Sequence, residues 1–147
     1  MPRIEYLLAF KGRELLRETT LFKDREVVLI GRHPDNHIHV SPALAGSDEE
    51  LRDRIAQVSL VHGKIKWSAL KKNPDVFDGG SYEHRGKEKA LVTIATRDDR
   101  LEHSTLERGG RQKFRLRPSV IIMLRPGLVL TIRKLEEERG EKTRVAR

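Results

Sequence analysis

The chain contains no cysteine, so disulfides, thiolate nucleophiles and zinc–thiolate centres are excluded, and any metal would have to be held by His, Asp or Glu. No apolar run approaches the ~20 residues needed to span a bilayer. The N-terminus has no charged start followed by an apolar stretch and a small-residue cleavage site, so the expectation is a cytoplasmic, soluble protein without a membrane partner. Aromatic residues are scarce, at 5%, which leaves few rings to stack on bases. No Gly-rich phosphate loop, paired-carboxylate arrangement or Ser/His/Asp order is present, so no catalytic residues and no cofactor are expected, and the chain is not read as an enzyme.

What the chain has in quantity is charge. Of its 147 residues 35% are charged, with 30 basic and 22 acidic residues giving a net charge of +8. That excess raises a polyanionic partner such as nucleic acid, a phosphopeptide or an acidic protein surface, and the charge-rich composition also suits a thermophile. Length and apolar content allow one sizeable core. Residues 1–135 are read as that domain and the charged segment 136–147, without apolar periodicity, as a disordered tail.

Short β-prone runs recur along the chain: residues 4–10, 19–22, 26–30, 90–96, 120–124 and 128–132. Helix competes with strand over residues 13–18. Regular short spacing of this kind favours an all-β sandwich over alternating strands and helices. Arg125-Pro126-Gly127 joins the two most apolar runs and predicts a hairpin through a type II turn. Two insertions interrupt the rhythm. In the first, Ser47-Asp48-Glu49-Glu50 reads as a capping box that opens a short helix carrying Leu51 and Ile55. The second is a mobile polar insertion over 68–89, where Asn73-Pro74-Asp75 and Asp78-Gly79-Gly80-Ser81 are turn signals.

The organising stretch is Leu29 to Val40. An apolar run stops at Gly31-Arg32, a Pro34-Asp35-Asn36 turn follows, and Ile38 and Val40 then alternate with histidines. Further on, Val58-Ser59-Leu60-Val61-His62 leads into a strand that starts at Gly63. A Gly-Arg at a strand end, followed by Ser-x-x-His at the entrance of the next strand, resembles the forkhead-associated (FHA) domain, a β-sandwich that binds phosphothreonine peptides. The resemblance implies that Arg32 and Ser59 bind phosphate, that Gly31 is structural and that His62 braces the loops from inside. The family's Ser-Thr-Asn-Gly turn has a partial counterpart in Ser104-Thr105-Leu106, with Leu106 where the family has Asn. Leu60 stands where the family often has Arg or Asn. Leu60, Ser104, Thr105 and Leu106 are therefore the candidate peptide contacts. The implied partner is a phosphothreonine-containing protein, a protein kinase substrate, in phosphorylation signalling. The 41–57 insertion, entering the Ser59 loop directly, is expected to shape the pocket mouth.

Phosphate chemistry points to the same anchor. A phosphate carries about −1.5 to −2 charge near neutral pH and is best gripped by the planar fork of an arginine, with a serine hydroxyl and loop N–H groups as neutral donors. Two other readings compete. A phosphate-independent interaction scaffold is one. The other is a basic nucleic-acid-binding domain, because Arg111, Lys113, Arg115 and Arg117 alternate on one strand face, with Phe114 and Leu116 on the other, and Lys64, Lys66, Lys71 and Lys72 form a second basic run. A solvated outer sheet face explains the same pattern. His33, His37 and His39 lie close in sequence, yet no carboxylate keeps a fixed spacing with them, so no metal is expected.

Overall fold

A computed structural model describes residues 3–70, 73–95, 100–115 and 119–135, with side chains omitted at 69, 70, 73–78 and 95. Eleven strands run β1 (Arg3–Phe10), β2 (Arg13–Leu21), β3 (Val27–Gly31), β4 (Ile38–His39), β5 (Gly63–Leu70), β6 (Asn73–His84), β7 (Ala90–Ala95), β8 (Leu101–Leu106), β9 (Arg111–Arg115), β10 (Ser119–Arg125) and β11 (Leu128–Leu135). The helix α1 (Glu49–Ala56) and a 3₁₀ turn over Pro42–Ala45 lie between β4 and β5. Six strands form one sheet in the order β2-β1-β11-β10-β7-β8, and five form the other in the order β4-β3-β5-β6-β9. The expected all-β sandwich with one short helix in a loop is the fold observed.

Period-two alternation places the core between the sheets. Ile4, Tyr6, Leu8 and Phe10 of β1 and Leu128, Leu130 and Ile132 of β11 are buried from one side, against Val28, Ile30, Ile65, Trp67, Tyr82 and Phe114 from the other. The Trp67 indole N–H donates to the Tyr6 hydroxyl at 2.9 Å, one hydrogen bond that joins the two sheets through the middle of the core. The outer face of the six-stranded sheet carries a buried carboxylate, Glu5, whose oxygens accept from Arg17 at 2.6 Å and Arg133 at 2.7 Å. Burial alone would raise its pKa; the hydrogen bonds from Arg133 and Arg17 hold it below the ordinary carboxylate value.

The Arg125-Pro126-Gly127 hairpin forms as expected, with Arg125 paired to Leu128 and Gly127 at φ +81°, the left-handed position that a type II turn reserves for glycine. Residues 13–18 are strand rather than helix: they form an edge pairing with β1, where alternation is weak because only one face meets the core. The helix begins one residue later than the capping box implies. Asp48, not Ser47, is the N-cap, and its carboxylate accepts from the Leu51 N–H at 3.0 Å.

The polar insertion expected over 68–89 is instead mostly sheet. β5 continues to Leu70 and β6 occupies Asn73–His84. Glycine is needed inside β6, because a Cβ on Gly79 would overlap the Phe114 carbonyl of the neighbouring strand. The Asp78-Gly79-Gly80 turn signal is therefore a close backbone approach, and the register shifts between Ser68 and Leu70 take up the irregularity. The Ser104-Thr105-Leu106 stretch, expected as the counterpart of a turn, is instead part of the edge strand β8. Residues 136–147, Lys71, Lys72, Leu116 and Arg117 lie outside the described residues.

Candidate functional site: the loop junction at Arg32, Ser59 and His62

β3 ends at Gly31, and the following loop returns through Pro34-Asp35-Asn36 so that β4 pairs parallel with β3, Ile30 opposite Ile38. Inside this loop the Asn36 N–H donates to the His33 carbonyl at 3.1 Å, and the Asp35 N–H to His33 Nδ1 at 3.0 Å. The 58–62 loop lies directly against it. Arg32 N–H donates to the Ser59 carbonyl at 3.1 Å, His33 N–H to the Leu60 carbonyl at 3.1 Å, and His62 N–H to the Ile30 carbonyl at 2.7 Å. The buried Asn36 side chain adds a bond from Nδ2 to the Leu60 carbonyl at 2.6 Å. Gly31 has no room for a side chain, since a Cβ would overlap the Leu60 carbonyl and stand 2.8 Å from that of Ser59.

This stitching fixes the candidate anchor. Arg32 is half-buried, and its Nε donates to the Val58 carbonyl. Among the described residues its two Nη groups make no hydrogen bond and no ion pair. Ser59 is half-buried beside it, with a hydroxyl likewise free among the described residues. A guanidinium pinned through Nε with both Nη groups left over, on a residue whose N–H donates to the Ser59 carbonyl, is a donor arrangement that a tetrahedral oxyanion accepts from.

His62 is the support beneath. It is buried, and its Nδ1 accepts from the Ser59 N–H at 3.1 Å, which places the neutral imidazole's proton on Nε2. Burial, then the neighbouring His84 ring, holds its pKa down to about 4, with Arg125 adding to the effect and the Leu124 carbonyl opposing it. The rings of His62 and His84 meet edge to face with centroids 5.1 Å apart. His62 is thus a neutral histidine whose acceptor nitrogen holds the Ser59 backbone.

The third loop at this end is the β6–β7 connection. Arg85 N–H donates to the His62 carbonyl at 2.8 Å, and Gly86 lies so close that a Cβ would stand 2.5 Å from the His62 ring. The Arg85 side chain is exposed, its Nε 2.7 Å from Glu83. Sequence reasoning missed Arg85 because it took 68–89 as an insertion. The signal was there in the alternation Ser81-Tyr82-Glu83-His84, which marks a strand ending where the loop begins.

Among the candidate peptide contacts, Leu60 is 54% exposed with Val61 beside it, an apolar pair at the mouth of the junction. Ser104 and Thr105 sit within β8, opposite Val92 and Leu91 on the edge of the other sheet. Leu106 is buried and packs in the core, which leaves little of its side chain to meet a peptide. The insertion helix is also more structural than expected. Leu51, Ile55 and Val58 are fully buried, and the helix start is tied to the β1–β2 hairpin by Lys11–Glu50 at 2.7 Å and Arg13–Asp48 at 3.0 Å. Its buried face and these ion pairs fix the segment that leads into the Ser59 loop.

His33, His37 and His39 do not converge. His37 Nδ1 accepts from the Leu29 N–H at 2.9 Å and His33 Nδ1 from Asp35, and no set of three or more His, Asp or Glu is placed to hold a metal among the described residues.

Compared with solved structures, the chain is similar to the crystal structure of the MEK1 FHA domain, with a TM-score of 0.55, 12% identity and 88% of each chain covered. The fold is FHA-like. No protein-family model matches the sequence, and no curated protein is similar to it by sequence. At this identity the likeness concerns the FHA-like architecture alone; the loops that carry Gly31-Arg32 and Ser59-x-x-His62 are argued from their own geometry. No helix among the described residues is long and apolar enough to cross a membrane.

Proposed function

We propose that the chain is a phosphothreonine-dependent protein-interaction module of phosphorylation signalling in the cytoplasm, acting by binding and not by catalysis. The observation that carries this reading is the half-buried Arg32 guanidinium, pinned to the Val58 carbonyl with both Nη groups free among the described residues, beside the free Ser59 hydroxyl. Arg32 supplies the charge and the paired donors, and Ser59 adds a neutral donor. His62 holds the Ser59 backbone in place without adding charge of its own near neutral pH. The phosphothreonine preference and the partner, a kinase substrate, come from the FHA resemblance of these residues. Sequence selectivity beside the phosphate falls to exposed Leu60 and to Arg85 of the adjoining loop, with Ser104 and Thr105 further off on β8.

A degenerate phosphothreonine peptide library, captured on wild type beside Arg32→Ala, tests the proposal. Phosphate-dependent enrichment on wild type and its loss on the variant are expected. Equal capture of phosphorylated and unphosphorylated peptides would replace it with a phosphate-independent scaffold.

A further inference from the structure

The Arg32 junction leaves a strongly basic sheet face without a role. Ile65, Trp67, Tyr82 and Phe114 turn into the core, so alternation turns their neighbours to the outer face of the five-stranded sheet. The pairing register arranges these neighbours in three cross-strand rows: Lys64–Glu83–Arg111, Lys66–Ser81–Lys113 and Ser68–Gly79–Arg115. The central strand β6 thus offers only a serine and a glycine over the last two rows. Long basic side chains flank it, Lys66 from β5 on one side and Lys113 and Arg115 from β9 on the other. Two strand spacings separate these rails, about 9–10 Å at their base. Along β9 the cations recur every second residue, about 6.5–7 Å apart, a repeat comparable to that of successive phosphates on one nucleic-acid strand.

The charge balance differs along this trough. At one end Glu83 is ringed by Lys64 at 3.9 Å, Arg85 at 2.7 Å and Arg111 at 3.1 Å, and these cations are already compensated. In the middle row Lys66 and Lys113 are both exposed, and neither has an acidic partner among the described residues.

We infer that this trough binds the sugar–phosphate backbone of nucleic acid, without sequence preference, at a surface separate from the Arg32 junction. The regular charge repeat favours a polymer whose anions recur at fixed spacing over an acidic peptide. The described aromatic rings of these strands face inward, so no base-stacking platform accompanies the cations and the contact is with phosphates alone. Glu83 closes one end and limits affinity.

Fluorescence anisotropy of the full chain with a labelled oligothymidine and with a random-sequence duplex, titrated in salt, tests this. Lys66→Gln/Lys113→Gln should bind at least tenfold more weakly at low salt, with the slope of log K against log salt reduced by about 1.4 for the single strand or 1.8 for the duplex, two phosphate contacts' worth. Glu83→Gln, which releases three cations, should bind more tightly than wild type, a gain that misfolding cannot imitate. Arg32→Ala should leave oligonucleotide binding unchanged, and the double lysine variant should leave phosphopeptide capture unchanged, so this surface and the Arg32 junction stand or fall separately. No oligonucleotide binding at low salt, or binding indifferent to both the lysine and the Glu83 changes, overturns the inference. Equal affinity for polyglutamate or anionic vesicles overturns the assignment to nucleic acid.

Discussion

Acid should release the brace beneath the junction. His62 is neutral in the folded protein, with Nδ1 accepting from the Ser59 N–H, and its pKa is held to about 4 against an ordinary value of 6.5. A second proton would have to enter at Nδ1. It would break that hydrogen bond and place a charge in the core beside His84. Because the folded value lies below the unfolded one, the unfolded chain takes up the proton first. The contribution to stability is intact above pH 6.5, declines as the pH falls through the interval, and is fully lost near pH 4. From the two values, the loss is about 2 kcal/mol between neutral pH and pH 5, and about 3 kcal/mol at pH 4 and below. Urea unfolding at neutral pH and near pH 5, for wild type beside His62→Gln, reads this term as the difference between the two proteins. Wild type should lose about 2 kcal/mol more than the variant over that interval. An NMR titration of the His62 ring reads the same quantity without a substitution. A His62 midpoint near 6.5, or equal acid losses in the two proteins, would refute the reasoning.

Three further substitutions separate anchor from scaffold. Arg32→Lys keeps the charge but not the planar fork, and losing one charge-assisted hydrogen bond should weaken phosphopeptide binding by about 1.5–3 kcal/mol, read by calorimetry, with little change in the urea midpoint. Gly31→Ala drives a Cβ into the Leu60 and Ser59 carbonyls, and overpacking against backbone should cost about 1–3 kcal/mol in urea unfolding while weakening phosphopeptide capture through displacement of the Ser59 loop. Leu51→Ala empties a fully buried site in the helix that precedes that loop and should cost about 2–5 kcal/mol, with a midpoint shift that exposed Leu60→Ala does not share.

Where the chain meets the core, its sequence was readable. The β10–β11 hairpin was legible because two apolar runs flank a Pro-Gly pair whose φ preferences select one turn. Gly31, Arg32, Ser59 and His62 were legible because each sits where a strand stops or starts, and the structure brings all four together within a few backbone hydrogen bonds. Edges were not. Residues 13–18 and 101–106 belong to edge strands with one weakly patterned face, and charged edges read as helix or loop. β6 was hidden for a different reason. Gly79 and Gly80 signal a turn in isolation, and only the neighbouring strands show that they are there for close backbone approach. A turn at Gly79-Gly80 hides the strand that leads into Arg85, and leaves Ser104-Thr105-Leu106, whose leucine is core, as the third loop visible in the sequence.

The central claim is that Arg32 anchors a phosphate. Isothermal titration of one library-selected peptide, in phosphorylated and unphosphorylated forms, against wild type and Arg32→Ala tests it most directly. Measurable affinity is expected only for the phosphorylated peptide on wild type, with a loss of about 2–5 kcal/mol on removing the guanidinium. Phosphopeptide affinity that survives Arg32→Ala unchanged would contradict it.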